Sequence, residues 1–367
     1  MKHNKLIVKT IGKSYPIYFK NSILNSVGKL IKKELPDVKK ICIISDNKLP
    51  KLLSKKLYIS LKKYNLKYYK LTTNEQTKSL KIANKIIEQL LKYNFNRSDC
   101  IVAFGGGVIG DLSAFVANLT KRGIKFVNIP TTLLAQVDAS IGGKTGINTN
   151  QGKNLIGTYY QPDLVLSDLS MLRSLPRREM VSGYGEILKH SLISDKKFFL
   201  WLCKNGKEII NNKNNNKLKK AIVKSCKIKI HIVNKDEEEK NLRMILNFGH
   251  TFAHGFERAK NFSKKINHGE AVLLGMMIAS ELSARKKLLS LKELLQIKKH
   301  YFNLNLPSNI NKTFKKNEIK KIIHFMKKDK KNVDEKINLI LLKKVGATKK
   351  TTVKSNVIES FLYSYYK

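Results

Sequence analysis

Two hydrophobic rhythms divide the chain. In its first part, short apolar runs alternate with stretches of helical spacing. Lys40-Ile-Cys-Ile-Ile-Ser45, Cys100-Ile-Val-Ala-Phe104, Ile124–Pro130 and Leu164–Asp168 read as buried strands, as does Tyr68–Thr72. Lys5–Thr10 and Tyr15–Phe19 flank Gly12-Lys-Ser and predict an opening hairpin. Between the strands, helices are expected from about Ser22, from Asn47 to about Tyr64, through Leu80, Ile82, Ile86, Ile87, Leu90 and Leu91, and through Leu112, Phe115, Val116 and Leu119 after Asp111. Strand–helix alternation of this kind implies a parallel sheet covered on both faces. From about Leu175 helical periodicity takes over, broken by the polar stretch Asn211–Lys217, with one late strand at Ile337–Leu342. The expected architecture is an α/β N-terminal domain with a parallel sheet over residues 1–172, followed by a mostly α-helical C-terminal domain over residues 173–367.

Composition narrows the class. Hydrophobic residues make up 42% of the chain, enough for real cores. No apolar run approaches the ~18 residues of a membrane span. The opening Met1–Val8 has neither the long apolar segment nor the small-residue cleavage site of a secretory signal. The four cysteines (Cys42, Cys100, Cys203, Cys226) show no Cys-x-x-Cys spacing and read as reduced packing thiols. The expectation is a cytoplasmic enzyme without a membrane partner. Charge complicates the picture: 72 Lys+Arg against 27 Asp+Glu give +45, a field that attracts polyanions. The excess is mostly lysine dispersed among Asn and Ile, as in Asn211–Lys217, which is the mark of an AT-rich coding sequence. No arginine-rich arm, RNA-binding aromatic motif or zinc-finger spacing accompanies it, so no dedicated nucleic-acid partner is expected.

The candidate chemistry begins after the Cys100 strand. Gly105-Gly-Gly-Val-Ile-Gly-Asp111 sits between a strand and a helix, where glycines let backbone N–H groups approach a phosphate at the helix's positive end. Gly105-x-Gly107-x-x-Gly110 matches a dinucleotide fingerprint, although on a late strand and without the acidic residue about 20 positions on; alone it is a weak signal, equally at home in a structural turn. Asp46, Glu75 and Lys78 stand where open parallel sheets bind ligands, beyond the carboxyl ends of strands. In Pro130–Gly146, Thr131 and Thr132 can donate to a nucleotide, Gly142-Gly143 allow close backbone approach, and Lys144 suits a substrate anion. Lys153-Asn154 follows at once.

A third constellation has metal-binding character. Glu186 and Lys189 lie on a predicted helix, followed by Asn247-Phe-Gly-His-Thr-Phe-Ala-His254 and then His268. Glu186, His250 and His268 would make a two-histidine, one-carboxylate set with an open position, as in catalytic zinc sites. Pairing His250 with His254, one helical turn apart, is the competing local arrangement, and spacing does not choose between them.

Taken jointly, Gly-Gly-Gly-Val-Ile-Gly-Asp, Pro-Thr-Thr-Leu-Leu-Ala-Gln-Val-Asp-x-Ser-Ile-Gly-Gly-Lys-Thr, Gly-Lys-Asn-Leu-Ile-Gly and Asn-x-Gly-His-Thr resemble the 3-dehydroquinate synthases, across about residues 40 to 345. The resemblance implies that Asp46, Glu75, Lys78, the Gly105–Asp111 loop (with Gly106, Gly107 and Val108), Thr131, Thr132 and Asp138 bind NAD. Lys153 would lie near cofactor and substrate, and Ser174, in place of the family's usual Thr, keeps the hydroxyl on the cofactor side. It implies zinc, with cobalt as a substitute, on Glu186, His250 and His268. Arg122, Lys144, Asn154, Lys189, Lys229, Arg243, Asn247 and Lys330 (or its neighbour Lys331) would hold a sugar phosphate's carboxylate, hydroxyls and phosphate, with His254 as a proton relay. The implied reaction turns 3-deoxy-D-arabino-heptulosonate 7-phosphate into 3-dehydroquinate by transient oxidation, phosphate loss, re-reduction and aldol closure, in a homodimer. Rivals from the same superfamily are a metal-dependent polyol dehydrogenase and a cyclase acting on another sugar phosphate.

Overall fold

A computed structural model describes residues 4–213, 215–263, 265–328 and 335–366. The chain divides into two compact units: Met1–Pro176 together with Lys229–Glu238, and Arg177–Ile228 together with Glu239–Lys367.

The first unit is built on nine strands: β1 (Asn4–Lys9), β2 (Ser14–Lys20), β3 (Lys40–Asp46), β4 (Asn65–Leu71), β5 (Cys100–Gly105), β6 (Lys125–Pro130), β7 (Ile147–Thr149), β8 (Gly152–Ile156) and β9 (Leu164–Asp168). Seven of them form one sheet in the order β1-β2-β9-β6-β5-β3-β4, parallel except for the opening β1–β2 hairpin. Four helices serve it: α1 (Val27–Glu34), α2 (Lys51–Leu61), α3 (Leu80–Lys92) and α4 (Gly107–Leu119). Alternate side chains of one strand feed different cores. Ile41 and Ile43 join Val102, Phe104, Val27 and Leu57, whereas Cys42 and Ile44 join Ile101, Ala103, Ala83, Ile86 and Phe115. Both faces being buried is why these strands read as unbroken apolar runs. From β3 the chain steps outward to β4, then returns across β3 to β5. The reversal makes the carboxyl ends of β3 and β5 a topological switch point, the place where such sheets bind ligands.

The second unit is helical: α5 (Arg177–Ser194), α6 (Lys196–Ile210), the first part of α7 (Asn215–Lys235), α8 (His250–Ala259), α9 (His268–Arg285), α10 (Leu291–Leu304), α11 (Ile319–Lys327) and α12 (Ser355–Tyr363). α5 is buried without interruption from Met180 to Ile193, and α9 nearly so from Gly269 to Ser283, so these two form the interior. The late strand is half of a hairpin, β10 (Lys336–Lys344) against β11 (Ala347–Lys354), the latter reading Ala-Thr-Lys-Lys-Thr-Thr-Val-Lys and carrying no apolar run.

Two local expectations are corrected. The segment from Ser22 opens with a tight turn at Ile23–Ser26 before α1. α4 starts at Gly107, so most of the glycine loop is the helix's own first turn. The stretch after Gly146, to which the sequence pattern assigns no element, folds back as the β7–β8 hairpin. No helix among the described residues is long and apolar enough to cross a membrane.

Candidate functional site

In the first unit the candidate residues collect at the switch point. β5 ends at Gly105, Gly106 caps α4, and the first N–H groups of that 13-residue helix have no intrahelical partner to bond. The glycines there serve close packing. A Cβ on Gly105 would meet Ile109 Cγ1 at 2.6 Å, and one on Gly106 would meet Thr132 Cγ2 at 3.3 Å. Thr131, buried, donates its N–H to Gly105 O (2.9 Å). At the end of β3, Asp46 accepts from Lys48 N (2.9 Å) and from the Thr73 hydroxyl.

Beside them lies a polar latch. Lys78 is 4% exposed and donates from Nζ to Asp111 Oδ2 and Asn154 Oδ1, both at 2.6 Å. Burial raises the pKa of Asp111 against the opposing pull of Lys78. Glu75 pairs with Lys153 at 3.0 Å. Burial alone would raise its pKa, but Lys153, Asn148 and Lys78 together hold it below the usual carboxylate value. Asn148 gives its amide N–H to Lys78 O (2.7 Å) and its side-chain NH₂ to Glu75 O and Oε2 (2.8 and 3.0 Å), while its Oδ1 accepts from Asn154 N (3.1 Å). Asn154 itself sits at φ +53°. One amide thus ties the segment carrying Glu75 and Lys78 to the hairpin carrying Lys153 and Asn154.

The remaining candidates of this unit are spread more widely. Lys229, on α7 and buried, donates to Asp138 O and Oδ1, both at 2.6 Å. Lys144 is exposed and follows Gly142 and Gly143, which take φ +99° and +65°. A Cβ on Gly143 would strike Gln161 at 2.5 Å. Arg122 is exposed in a turn with φ +62°. Ser174 is exposed, its hydroxyl on Met171 O at 3.2 Å. Lys330 and Lys331 lie outside the described residues.

In the second unit, three ligand atoms converge: one each from Glu186, His250 and His268, all within 4.8 Å of one another. Glu186 lies in the middle of buried α5 and is 0% exposed. Neither of its oxygens accepts a hydrogen bond of ordinary geometry; Lys189, one turn on and equally buried, lies against Oε2 as an ion pair without a hydrogen bond's angle. Such a carboxylate suits a cation. His250 opens α8 after Gly249 (φ +81°), where a Cβ would hit Met276 at 2.6 Å; its Nε2 is 3.7 Å from Glu186 Oε1 and its Nδ1 faces Phe248 O at 3.4 Å. His268 opens α9, whose start is fixed by the reciprocal Asn267–Glu270 cap and by Arg178 bidentate on Glu270 (2.7 and 2.6 Å). The His250 and His268 rings lie 5.4 Å apart. His254 is exposed and edge-on to His250, and no three-residue cluster among the described residues includes it. Arg243 is buried; Asn247 donates to Glu239.

Three residues of these networks carry no motif signal: Asn148, Glu239 and Glu257. Glu257 holds His268 Nδ1 at 3.1 Å. It stands seven residues after His250, two helical turns on the same face, and that spacing was the available clue.

A doubly wound α/β unit with a glycine-opened helix at its switch point, joined in one chain to a helical unit with two histidines gathered on a buried carboxylate, defines the class. Two family models, the N-terminal and C-terminal parts of 3-dehydroquinate synthase, match residues 68–182 and 183–332. A 3-dehydroquinate synthase of Pelagibacter ubique is 51% identical over 343 residues, covering 94% of this chain and 93% of the relative; one of Thermoanaerobacter pseudethanolicus is 39% identical over 348 residues, 94% and 96%. Among solved structures, 2-deoxy-scyllo-inosose synthase complexed with carbaglucose-6-phosphate, NAD⁺ and Co²⁺ superposes with a TM-score of 0.88 at 25% identity, covering 98% of this chain and 100% of that one. The chain belongs to the 3-dehydroquinate synthase family.

Proposed function

We infer that this chain catalyses the reaction of its family, converting 3-deoxy-D-arabino-heptulosonate 7-phosphate to 3-dehydroquinate and phosphate with NAD and a divalent metal ion, zinc or cobalt. It is a carbon–oxygen lyase with no net oxidation. The observation that carries the reading is kinship over nearly the full chain, 51% identity across 343 residues. The relative crystallised with NAD⁺ and Co²⁺ supports the cofactor pair.

When bound, NAD supplies a hydride acceptor regenerated in each cycle, and the metal supplies a Lewis acid for the alcohol being oxidised. The chain's own residues would do the rest. Residues 1–172 carry the NAD contacts, among them Asp46, Glu75, Lys78, Thr131, Thr132, Asp138 and the first turn of α4, with Lys153 and Ser174 nearby. Lys78 is already fixed between Asp111 and Asn154, so it needs no reorganisation on binding. Residues 173–367 carry the metal ligands Glu186, His250 and His268; the buried, poorly hydrogen-bonded Glu186 fits that role. The substrate bears a carboxylate and a phosphate, which call for fixed cations and amides: Arg122, Lys144, Lys189, Lys229 and Arg243 with Asn154 and Asn247. His254, exposed, can take or return a proton at a ring nitrogen. Assembly as a homodimer belongs to the same reading and is measurable by light scattering.

The test is phosphate release from the heptulosonate phosphate with zinc and a trace of NAD. Release far beyond the NAD supplied, without NADH build-up, is expected. NADH rising in step with product would replace the reading with a polyol dehydrogenase. Silence in both channels would move it to another sugar phosphate.

A further inference from the structure

We propose that Glu257 sets the tautomer and tilt of His268 and thereby the metal affinity of the cluster, an inference that rests on the metal reading above. α8 brings His250, His254 and Glu257 onto one face at steps of four and three residues. Glu257 lies near the far end of that helix, with its side chain 5% exposed. Its Oε2 stands 3.1 Å from His268 Nδ1, on the first residue of α9. An ionised carboxylate only accepts, so the contact requires Nδ1–H to donate. That leaves Nε2 as the unprotonated ring nitrogen of His268.

Glu257 is not itself a ligand: no metal-competent group of three among the described residues contains it. Each histidine has an acceptor behind its Nδ1. His250 has a backbone carbonyl at a long 3.4 Å, whereas His268 has a buried carboxylate at 3.1 Å. A carboxylate behind an imidazole fixes the ring and makes its other nitrogen a better donor. Helix packing alone asks for no carboxylate at this buried position, since burying one costs several kcal/mol unless it is paired.

The experiment uses full-length protein stripped of metal, with zinc affinity read by competition against a chromophoric chelator near neutral pH. Zinc-induced thermal stabilisation and the Nδ1–H resonance of His268 are followed alongside. Glu257→Gln keeps the shape and removes the charge; Glu257→Ala removes the acceptor. Expected are affinity losses of about 10-fold for E257Q and toward ~100-fold for E257A, the span known for residues behind metal ligands. The zinc-induced rise in Tm shrinks in parallel, and the Nδ1–H signal is lost in E257A. Wild-type affinity in E257Q, with zinc lost in His268→Ala, would overturn the proposal and leave Glu257 a pin between helices. E257Q alone decides between these outcomes should E257A not fold. Undiminished zinc binding by H268A would instead remove the metal reading itself, and this inference with it.

Discussion

The glycine loop of the first unit and the metal-type cluster of the second store their information differently. Gly105–Asp111 and Pro130–Gly146 are contiguous: strand, turn and helix follow one another, so local geometry alone presents the donors. Glu186, His250 and His268 are scattered over three helices, and only tertiary packing brings their atoms within 4.8 Å. The loop depends on shape, above all on the missing side chain at Gly105. The cluster depends on the charge of the buried Glu186 beside two partly exposed imidazoles. Perturbing shape should therefore injure the first region and perturbing charge the second.

The largest expected effect tests the charge side. Glu186→Ala, or metal removal by a chelator, should lower phosphate release by at least ~10³-fold, the several kcal/mol of Lewis-acid stabilisation at stake, and zinc or cobalt should restore the chelated enzyme but not the variant. A variant with ordinary turnover would end the comparison at once.

Next comes Lys78→Met, a charge perturbation inside the shape-dependent region. Removing the cation leaves the partly buried Asp111 without its ion pair, which should cost about 1–3 kcal/mol in urea denaturation and weaken NAD binding by at least ~10-fold in a fluorescence titration. If stability falls while NAD affinity holds, the latch is structural only.

A third test uses proton release in the second unit. His300 is buried, hydrogen-bonded to Tyr184 at 2.9 Å, and burial lowers its pKa to about 4 from 6.5. The unfolded chain binds a proton at this residue that the folded one refuses. Its contribution is therefore complete above about pH 6.5 and declines as pH falls toward 4, by on the order of 3 kcal/mol. Comparing urea midpoints at pH 7.5 and 5 for the wild type and His300→Gln isolates it; identical pH slopes in the two proteins would refute the assignment.

The smallest effect is Gly105→Ala. Its Cβ collides with Ile109 at 2.6 Å, so a loss of roughly 1–3 kcal/mol in stability is expected, partly relieved in the double variant with Ile109→Ala, which removes the Cγ1 and Cγ2 atoms it meets. Additive effects of the two substitutions would deny the collision.

The same contrast explains what could be read from the chain. β3, β5, β6 and β9 were legible because both faces of the sheet are buried, and α3 because its apolar positions keep helical spacing. β11 was not, since lysines and threonines fill it and only Val353 is a buried residue. The β7–β8 hairpin was hidden because only Ile147 anchors it in the apolar core, and the rest is held by polar contacts such as Asn148 to the Lys78 carbonyl. Spacing left the choice between His254 and His268 open, because which ring shares space with Glu186 is a property of how α8 and α9 pack. Glu257 had only a helical offset to mark it, and Lys78 only its place beyond a strand among some seventy basic residues.

The return of Lys229–Glu238 to the first unit limits how this gene can be cut and rejoined. The boundary between the two family models, 182/183, falls inside α5. A fragment ending there would make the sheet but leave Lys9 N–H, Ile11 N–H and the Gln161 amide without Asn234 and Glu237, which accept from them at 3.0, 3.3 and 2.8 Å. It would also lack Lys229, the cation on Asp138. The halves are therefore not exchangeable cassettes: a chimera that swaps one for a relative's must carry residues 229–238 with the half they complete.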